Sequence, residues 1–170
     1  MLKANFITAQ EAAEKIQDGS TLCTIGMTLV SASESILKAI EKRFETVGHP
    51  ADITLVHSCG QSDRKDGIQH LAHEGLVKRI IGSHWGLQPR WMEMIANSQV
   101  EAYCLPQGQI AQLYRSMACG LPGKMSKVGL GTFIDPRVEG GKMNDRTKPL
   151  PDIVDILEYS GEEYMFYKEI

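Results

Sequence analysis

The sequence has neither a surplus of positive charge nor a long apolar segment. Its 18 Lys and Arg residues are outnumbered by 21 Asp and Glu residues, so the net charge is −3. Binding to nucleic acid phosphates requires a basic surface, which argues against a nucleic acid partner. No apolar run approaches the roughly 20 residues that cross a bilayer. Residues 1–6 also lack the apolar stretch of a secretory signal. We therefore expect a cytoplasmic protein with no membrane partner.

Several sequence signatures of metal and nucleophile sites are missing. No two of the four cysteines form a C-x-x-C pair, so we expect buried, reduced thiols rather than zinc ligands or disulfides. The G-x-S-x-G pattern of serine hydrolases is absent. His70, His73 and Glu74 offer half of a metal site, but no third ligand has suitable spacing. We expect surface or capping roles for these three and no bound metal. The cysteines are Cys23, Cys59, Cys104 and Cys119.

Nucleotide-binding signatures are incomplete in the same way. Residues 129–132 (Gly-Leu-Gly-Thr) resemble the start of a phosphate-binding loop. They lack the third glycine of the dinucleotide fingerprint and the lysine-serine end of a P-loop. The segment therefore predicts neither NAD nor ATP as a cofactor.

What the sequence does contain is an alternation of short apolar strands and amphipathic helices. A β–α–β–α–β order in 170 residues favours one α/β domain, a largely parallel sheet with helices on both faces. S/T-x-x-E capping boxes at 8–11 and 31–34 mark two helix starts, and the residues from 131 to 149 have the character of a long loop. We expect strands over residues 21–25, 53–57, 76–81, 100–105 and 127–130, and helices beginning after the two capping boxes, at 89 and at 107.

The end of the chain has a different pattern. Residues 153–159 and 162–168, joined by Ser160 and Gly161, predict a β-hairpin. We place this hairpin as an antiparallel edge of the sheet, with the apolar residues of 164–167 uncovered. Such an exposed strand argues against a lone monomer. The aromatic residues here are expected to stabilise strands rather than to hold a cofactor.

Ligands of an open α/β sheet lie beyond the carboxyl ends of its strands. Candidate loops begin there at residues 26–33, 106–109 and 129 onward, and the first two lead into helix N-termini that favour an anion or oxyanion. At the start of the second helix, Gln107 can donate to a carbonyl oxygen that becomes negative in acyl transfer. Spacing alone favours the simpler role of a helix-start residue that bonds nearby backbone.

Three charged residues follow the third loop start. Asp135 and Arg137 flank a proline and can either clamp a polar ligand or hold the loop together. Lys142 follows two glycines and can either meet a phosphate or remain solvated. Taken alone, these residues favour the structural alternatives.

Four motifs lie close together between residues 103 and 144. They are 103–108 (Tyr-Cys-Leu-Pro-Gln-Gly), 120–123 (Gly-Leu-Pro-Gly), 127–137 (Lys-Val-Gly-Leu-Gly-Thr-Phe-Ile-Asp-Pro-Arg) and 140–144 (Gly-Gly-Lys-Met-Asn). Together they resemble the family I coenzyme A transferases, in particular the acetate/propionate and short-chain acyl-CoA:acetate group. The resemblance covers essentially the whole chain and is most specific between residues 103 and 144. Residues 73–78, 82–86 and 157–168 are similar to the same group.

The resemblance implies a ping-pong reaction of short-chain fatty acid or ketone body metabolism. A glutamate carboxylate attacks an acyl-CoA, and an enzyme–CoA thioester carries CoA to a second carboxylate. Coenzyme A is thus substrate and covalent intermediate, with no tightly bound cofactor. Gln107 is implied as an oxyanion-hole donor, partnered by a backbone N–H from the other half. Substrate and CoA contacts are expected at Gly26, Met27, Thr28, Gly108, Gly129, Gly131, Thr132, Phe133, Asp135, Arg137 and Lys142.

The chain departs from the family pattern in two ways. Residues 26–31, which face the acyl pocket in the family, contain one glycine where the family loop has more, so the acyl specificity is open. The nucleophilic glutamate of the family lies in a Glu-Asn-Gly context in a C-terminal half, and this sequence contains no Glu-Asn-Gly. We therefore expect residues 1–170 to be an incomplete N-terminal, alpha-subunit-like domain, inactive alone. It would be completed by a C-terminal half from the same gene or from a separate chain, in a homo- or hetero-oligomer.

Two alternatives remain at this point. The chain can be a non-catalytic, truncated paralogue that binds acyl-CoA or pairs with a full-length protein. It can also be an isomerase of the same broad fold, such as a sugar-phosphate isomerase. For the isomerase, no catalytic set of Asp or Glu with Lys can be placed in the sequence, and residues 106–108 (Pro-Gln-Gly) argue against it.

Overall fold

Four parallel strands form the larger of two sheets in the computed structural model, which describes residues 4–170. The strand order across the sheet is the same as the order along the chain. The largely parallel sheet expected from the alternating pattern is confirmed. Its strands are β1 (Thr21–Thr24), β2 (Ile53–His57), β3 (Val77–Gly82) and β4 (Glu101–Cys104).

Helices cover both faces of this sheet. Successive strand residues point to opposite faces, so Leu55 and Ile80 join one core cluster while Val56 and Ile81 join the other. Side chains of α1, α2, a short 3-10 helix and α3 complete the first cluster, and those of α4 enter the second. The bounds are α1 (Ala9–Glu14), α2 (Glu34–Val47), 3-10 helix (Gly67–Leu71), α3 (Pro89–Ala96) and α4 (Gln107–Ala118).

One of the two predicted capping boxes is confirmed. At α1 the Thr8 hydroxyl accepts from the Glu11 N–H at 3.2 Å, and the Glu11 carboxylate accepts from the Thr8 N–H at 2.7 Å. The second box is wrong, since α2 begins later than that pattern predicts, with Ser33 at the N-cap and no side-chain cap. The reason is tertiary: the Glu34 carboxylate accepts instead from the Gly67 N–H at 2.9 Å.

A second, antiparallel sheet is formed by β5 (Gly123–Ser126), β6 (Val154–Tyr159) and β7 (Glu162–Lys168). The terminal hairpin is confirmed as β6 and β7, and its two turn residues, Ser160 and Gly161, have φ values of 54° and 76°. Left-handed φ at both positions suits a two-residue hairpin turn. Its placement at the edge of the parallel sheet is wrong, because β7 lies between β5 and β6 in a sheet of its own.

The apolar residues of β7 are covered, contrary to expectation. Met165 and Tyr167 are completely buried in one cluster with Leu113 and Ile134. No local pattern in the sequence indicates that α4 and the loop before β6 pack onto this strand. The last strand therefore no longer argues against a lone monomer.

The strand expected over residues 127–130 is also wrong. The pairing segment is β5, which begins earlier in the chain and in which Gly123 opposes Lys168. Residues 127–130 form a turn, with the Leu130 N–H donating to the Lys127 carbonyl. The expected irregular character of 131–149 is confirmed by a succession of turns.

Part of this irregular segment lies along the free edge of β4. The Cys104 N–H donates to the Gly141 carbonyl at 2.8 Å, and the Met143 N–H donates to the Ala102 carbonyl at 3.0 Å. A bridge pairs Tyr103 with Lys142. The segment therefore protects a strand edge that would otherwise present unpaired N–H and C=O groups.

The cysteines are free thiols, but they are less buried than expected. Cys23 and Cys119 are exposed, and Cys59 and Cys104 are half-buried. β1 is an edge strand, so a residue such as Cys23 has a neighbouring strand on one side only. Within residues 4–170, no helix has both the length and the apolar character needed to cross a membrane.

Candidate active site

Four loops meet at the carboxyl edge of the parallel sheet, where each strand ends. Because the strands all run in one direction, these loops share one edge. A cavity of about 460 Å³ opens between them. It is lined by Met27 and Thr28 after β1, Cys59 and Gly60 after β2, Ser83, His84 and Leu87 after β3, and Gln107 after β4.

Gln107 is the first residue of α4, and its side chain is exposed to the cavity. Pro106 at the N-cap makes no side-chain cap, and its carbonyl accepts from the N–H groups of Gln109 and Ile110 at 2.8 and 3.1 Å. Across residues 4–170, the Gln107 amide makes no hydrogen bond. Spacing alone favoured a Gln107 side chain that hydrogen-bonds nearby backbone, and the structure of residues 4–170 contains no such bond. Its N–H donors remain free for a ligand.

Gly108 leaves the start of α4 open. A Cβ added at this position has nothing within 4 Å, and its φ lies outside the left-handed region. Glycine inside a helix costs about 1 kcal/mol relative to alanine. No contact or conformation within the described chain requires glycine at this position.

The loop after β1 contains left-handed backbone at two residues that are not glycine. Thr28 and Ser31 have φ values of 52° and 63°, a region that costs non-glycine residues about 1–3 kcal/mol each. Met27 and Val30 pair across the tight turn between them. The Thr28 N–H donates to the Gly60 carbonyl at 2.9 Å, which ties this loop to the loop after β2.

A buried histidine supports the wall formed by Cys59 and Gly60. His57 is fully buried, and its Nδ1 donates to the Cys59 carbonyl at 2.8 Å. Burial lowers the pKa of His57 to about 4, so the ring is neutral near pH 7. A Cβ on Gly82 would clash with His57 Nε2, so glycine at 82 makes room for the ring. Trp85 packs edge-on against it, with ring centroids 5.0 Å apart.

The third candidate loop does not reach this cavity, and its polar groups are bonded to one another. Asp135 is 1% exposed and accepts from the Gly131 N–H at 2.9 Å and from the Arg137 N–H at 2.9 Å. The Arg137 guanidinium donates to the same carboxylate at 3.0 and 2.8 Å and also to Glu163 at 2.9 Å. The Arg137 contact holds the pKa of Asp135 well below its usual range, and Asp135 raises the pKa of Arg137.

Lys142 and Gly129 also have partners within the fold. Lys142 Nζ pairs with Asp152 at 2.8 Å and donates to the Leu150 carbonyl at 2.7 Å. A Cβ on Gly129 would lie 2.6 Å from the hydroxyl of Tyr167, so this glycine serves packing.

The expected substrate residues thus fall into two groups. Met27, Thr28 and Gln107 line the cavity, and Gly26 and Gly108 adjoin them in sequence. The second group lies outside the cavity lining, and its role in CoA binding stays a prediction. This group contains Gly129, Gly131, Thr132, Phe133, Asp135, Arg137 and Lys142.

Sequence reasoning missed five of the lining residues. They follow β2 and β3, whereas the loops predicted from the sequence follow β1 and β4 or begin at residue 129. The signal was available, because both strands were expected and a parallel sheet gathers every carboxyl end at one edge. The missed residues are Cys59, Gly60, Ser83, His84 and Leu87.

A family model described as coenzyme A transferase matches residues 6–169 of this chain. The chain belongs to the coenzyme A transferase family. It is 43% identical over 166 residues to the caffeate CoA-transferase of Acetobacterium woodii, covering 97% of this chain and 31% of the relative. It is also 24% identical over 134 residues to the alpha subunit of the acetate CoA-transferase of Escherichia coli K12, covering 79% of this chain and 58% of that relative.

A solved CoA-transferase structure has the same fold. The acyl-CoA transferase YdiF of Escherichia coli O157:H7, in a thioester complex with CoA, matches with a TM-score of 0.90 and 36% identity. The match covers 96% of this chain and 32% of that structure. The chain therefore spans about a third of the caffeate CoA-transferase and of YdiF. The α/β layers and the family expected from the sequence motifs are both confirmed.

Proposed function

We propose that this chain is the N-terminal part of an acyl-CoA:carboxylate CoA-transferase for short-chain acids. In the complete reaction, an acyl-CoA and a free carboxylate exchange CoA for one carboxylate oxygen. One C–S bond and one C–O bond break, equivalent bonds form, and there is no net redox change. CoA would pass through a thioester on a glutamate supplied by a C-terminal half. The relatives named above, including a structure described as a CoA thioester complex, support this assignment.

The free amide of Gln107 is the observation that carries the proposal. Attack of a carboxylate on a thioester places negative charge on the carbonyl oxygen, and a preorganised N–H donor stabilises that charge. Gln107 offers such a donor at the cavity and is bonded to no other described residue. It also lies in the first turn of the 12-residue helix α4, whose N-terminus favours negative charge.

The remaining walls suit a small acyl group. Met27 and Leu87 supply apolar surface beside the polar residues, from the loops after β1 and β3. CoA would act as a dissociable substrate rather than as a resident cofactor. The protein would work in the cytoplasm, in an oligomer completed by the C-terminal half.

Complementation tests the proposal directly. The chain is co-expressed with the remainder of the A. woodii caffeate CoA-transferase, and CoA transfer from acetyl-CoA to propionate is measured. We expect transfer by the co-purified pair, a CoA-sized mass increase on the C-terminal segment, and no transfer by either segment alone. A pair that co-purifies as folded protein but transfers no CoA would contradict the proposal.

A non-catalytic module that binds acyl-CoA or pairs with another chain is the second candidate. The observation in its favour is that a separate alpha subunit, that of the acetate CoA-transferase of Escherichia coli K12, is among the relatives of this chain. A stable, inactive pair that binds acyl-CoA would support this candidate over the transferase.

A further inference from the structure

Besides Gln107, the cavity contains another polar side chain that makes no hydrogen bond. His84 lies two residues beyond the end of β3 and is exposed. Across residues 4–170, its ring nitrogens have no hydrogen-bond partner, whereas all four other histidines bond through theirs. The fold itself therefore makes no use of the His84 imidazole.

The ring lies close to two glycines. A Cβ on Gly60 would lie 2.8 Å from His84 Nδ1, and a Cβ on Gly86 would lie 3.1 Å from Nε2. Glycine on both sides lets the ring pack directly against backbone. The imidazole thus lies at the cavity beside the backbone of Gly60 and Gly86, with its polar atoms left for a ligand.

His84 differs from the other cavity residues in its side-chain chemistry. Of the eight lining residues, all in the described chain, it alone has a basic side chain. The groups near it are the Cys59 thiol in the lining, the neutral His57 beneath and the exposed Arg64, whose Nη1 is 3.5 Å from the Gly86 carbonyl. A carboxylate entering this cavity needs N–H or cationic donors. Among the lining side chains, the Gln107 amide and the His84 imidazole carry N–H groups, and Gln107 is assigned to the reacting carbonyl.

We infer that His84 binds the carboxylate of the acid that accepts CoA, while the apolar tail of that acid lies against Met27 and Leu87. This inference rests on the proposed CoA-transferase function and deepens it. The favoured acceptors are monocarboxylic acids with a short apolar chain. An imidazole N–H donates to one carboxylate oxygen, and no proton transfer or covalent step at His84 is involved.

Kinetics of the co-expressed pair test the inference. His84→Ala should raise the KM for propionate at least about tenfold, because a hydrogen bond to a charged group is lost. The kcat and the KM for acetyl-CoA should change less than about threefold. His84→Asn keeps an N–H donor and should restore most of the affinity. His49→Ala, at the opposite end of the sheet, is the matched histidine control.

A binding measurement makes the result independent of catalysis. In the 170-residue chain, addition of propionate or butyrate should shift the imidazole NMR signals of His84 and leave those of His49 unchanged. If the pair is inactive but the shift is seen and His84→Ala abolishes it, the carboxylate site stands and the transferase proposal fails.

Three outcomes would overturn the inference. One is an active pair in which His84→Ala leaves the KM for propionate unchanged. Another is an equal rise in the KM for acetyl-CoA, which would show a change of cavity shape. The third is a KM effect of Arg64→Ala larger than that of His84→Ala, which would assign the carboxylate to the arginine.

Discussion

The cavity at the sheet edge and the segment from 129 to 142 look alike in sequence but differ in how their polar groups are used. Both combine glycine with polar residues after an apolar stretch. At the cavity, the Gln107 amide and the His84 ring have no partner in the described chain. In the second segment, Asp135 receives four hydrogen bonds and Lys142 is bonded to the loop before β6.

The difference shows why glycine and polar residues alone do not identify a site. A buried carboxylate that satisfies several N–H groups stabilises a loop, whereas a donor left free beside a cavity is available to a ligand. We therefore expect substitutions in the 129–142 segment to lower the free energy of unfolding, and substitutions of the cavity residues to lower activity.

The largest expected stability effect concerns the histidine beneath the cavity wall. The pKa of His57 is about 4 in the folded protein, below its ordinary 6.5. Below pH 6.5 the unfolded chain therefore takes up a proton first, so stability is lost as the pH falls from 6.5 to 4. The loss should approach about 3 kcal/mol. Denaturant unfolding of the wild type and of His57→Gln, which does not titrate, measures it from their difference at each pH.

The pKa of His70 is shifted in the opposite direction to that of His57, so its effect on stability should have the opposite pH dependence. Although burial opposes it, contacts with Glu41 and Glu34 raise the pKa of His70. Its stabilising contribution is therefore present below the unfolded pKa and is lost as the pH rises through the folded pKa. A difference between wild type and His57→Gln that grows toward high pH would contradict the account of His57.

The next effect is expected in the self-bonded segment. Asp135→Ala leaves the Gly131 and Arg137 N–H groups without their acceptor and should lower the free energy of unfolding by about 2 kcal/mol. Asp145→Ala is the matched control, since its ion pair with Lys148 is exposed and screened by solvent, so its loss should lower the free energy of unfolding much less. Equal losses in the two variants, measured by urea unfolding, would show that Asp135 does not organise the loop.

Substitutions of two glycines, one in the 129–142 segment and one at the start of α4, should have the smallest effects on stability, and these effects should be opposite in sign. Gly129→Ala should cost about 1–2 kcal/mol, because φ is 99° and the Cβ would lie 2.6 Å from the Tyr167 hydroxyl. Gly108→Ala should gain up to about 1 kcal/mol, since its Cβ would meet nothing within 4 Å. We expect it also to lower transfer by the co-expressed pair, because the added methyl group lies one residue from Gln107. Thermal unfolding and the propionate assay check both. If Gly108→Ala keeps full activity, the space beside Gln107 is not used by substrate.

The alternating pattern was sufficient to predict the parallel sheet, its helices and the terminal hairpin, because periodicity records which faces are buried. It did not reveal that the Glu34 carboxylate accepts a hydrogen bond from the Gly67 N–H instead of capping α2. Nor did it reveal that β5 pairs with β7. Both features depend on residues distant in sequence. For the site, the start of α4 was predicted, and the loops after β2 and β3 were missed. Whether the side chain of Asp135 or Gln107 is hydrogen-bonded depends on the tertiary structure, so the residues next to it in sequence do not predict it.

The measurement that tests the account most directly is the activity of Gln107→Ala beside that of Gln112→Ala in the co-expressed pair. Both glutamines are exposed on α4, but only Gln107 lines the cavity. We predict that Gln107→Ala lowers kcat by roughly one hundredfold or more, that the free energy of unfolding of the chain is unchanged, and that Gln112→Ala changes neither quantity. A Gln107→Ala pair with the kcat of the wild type would contradict the assignment of this amide to the reacting carbonyl.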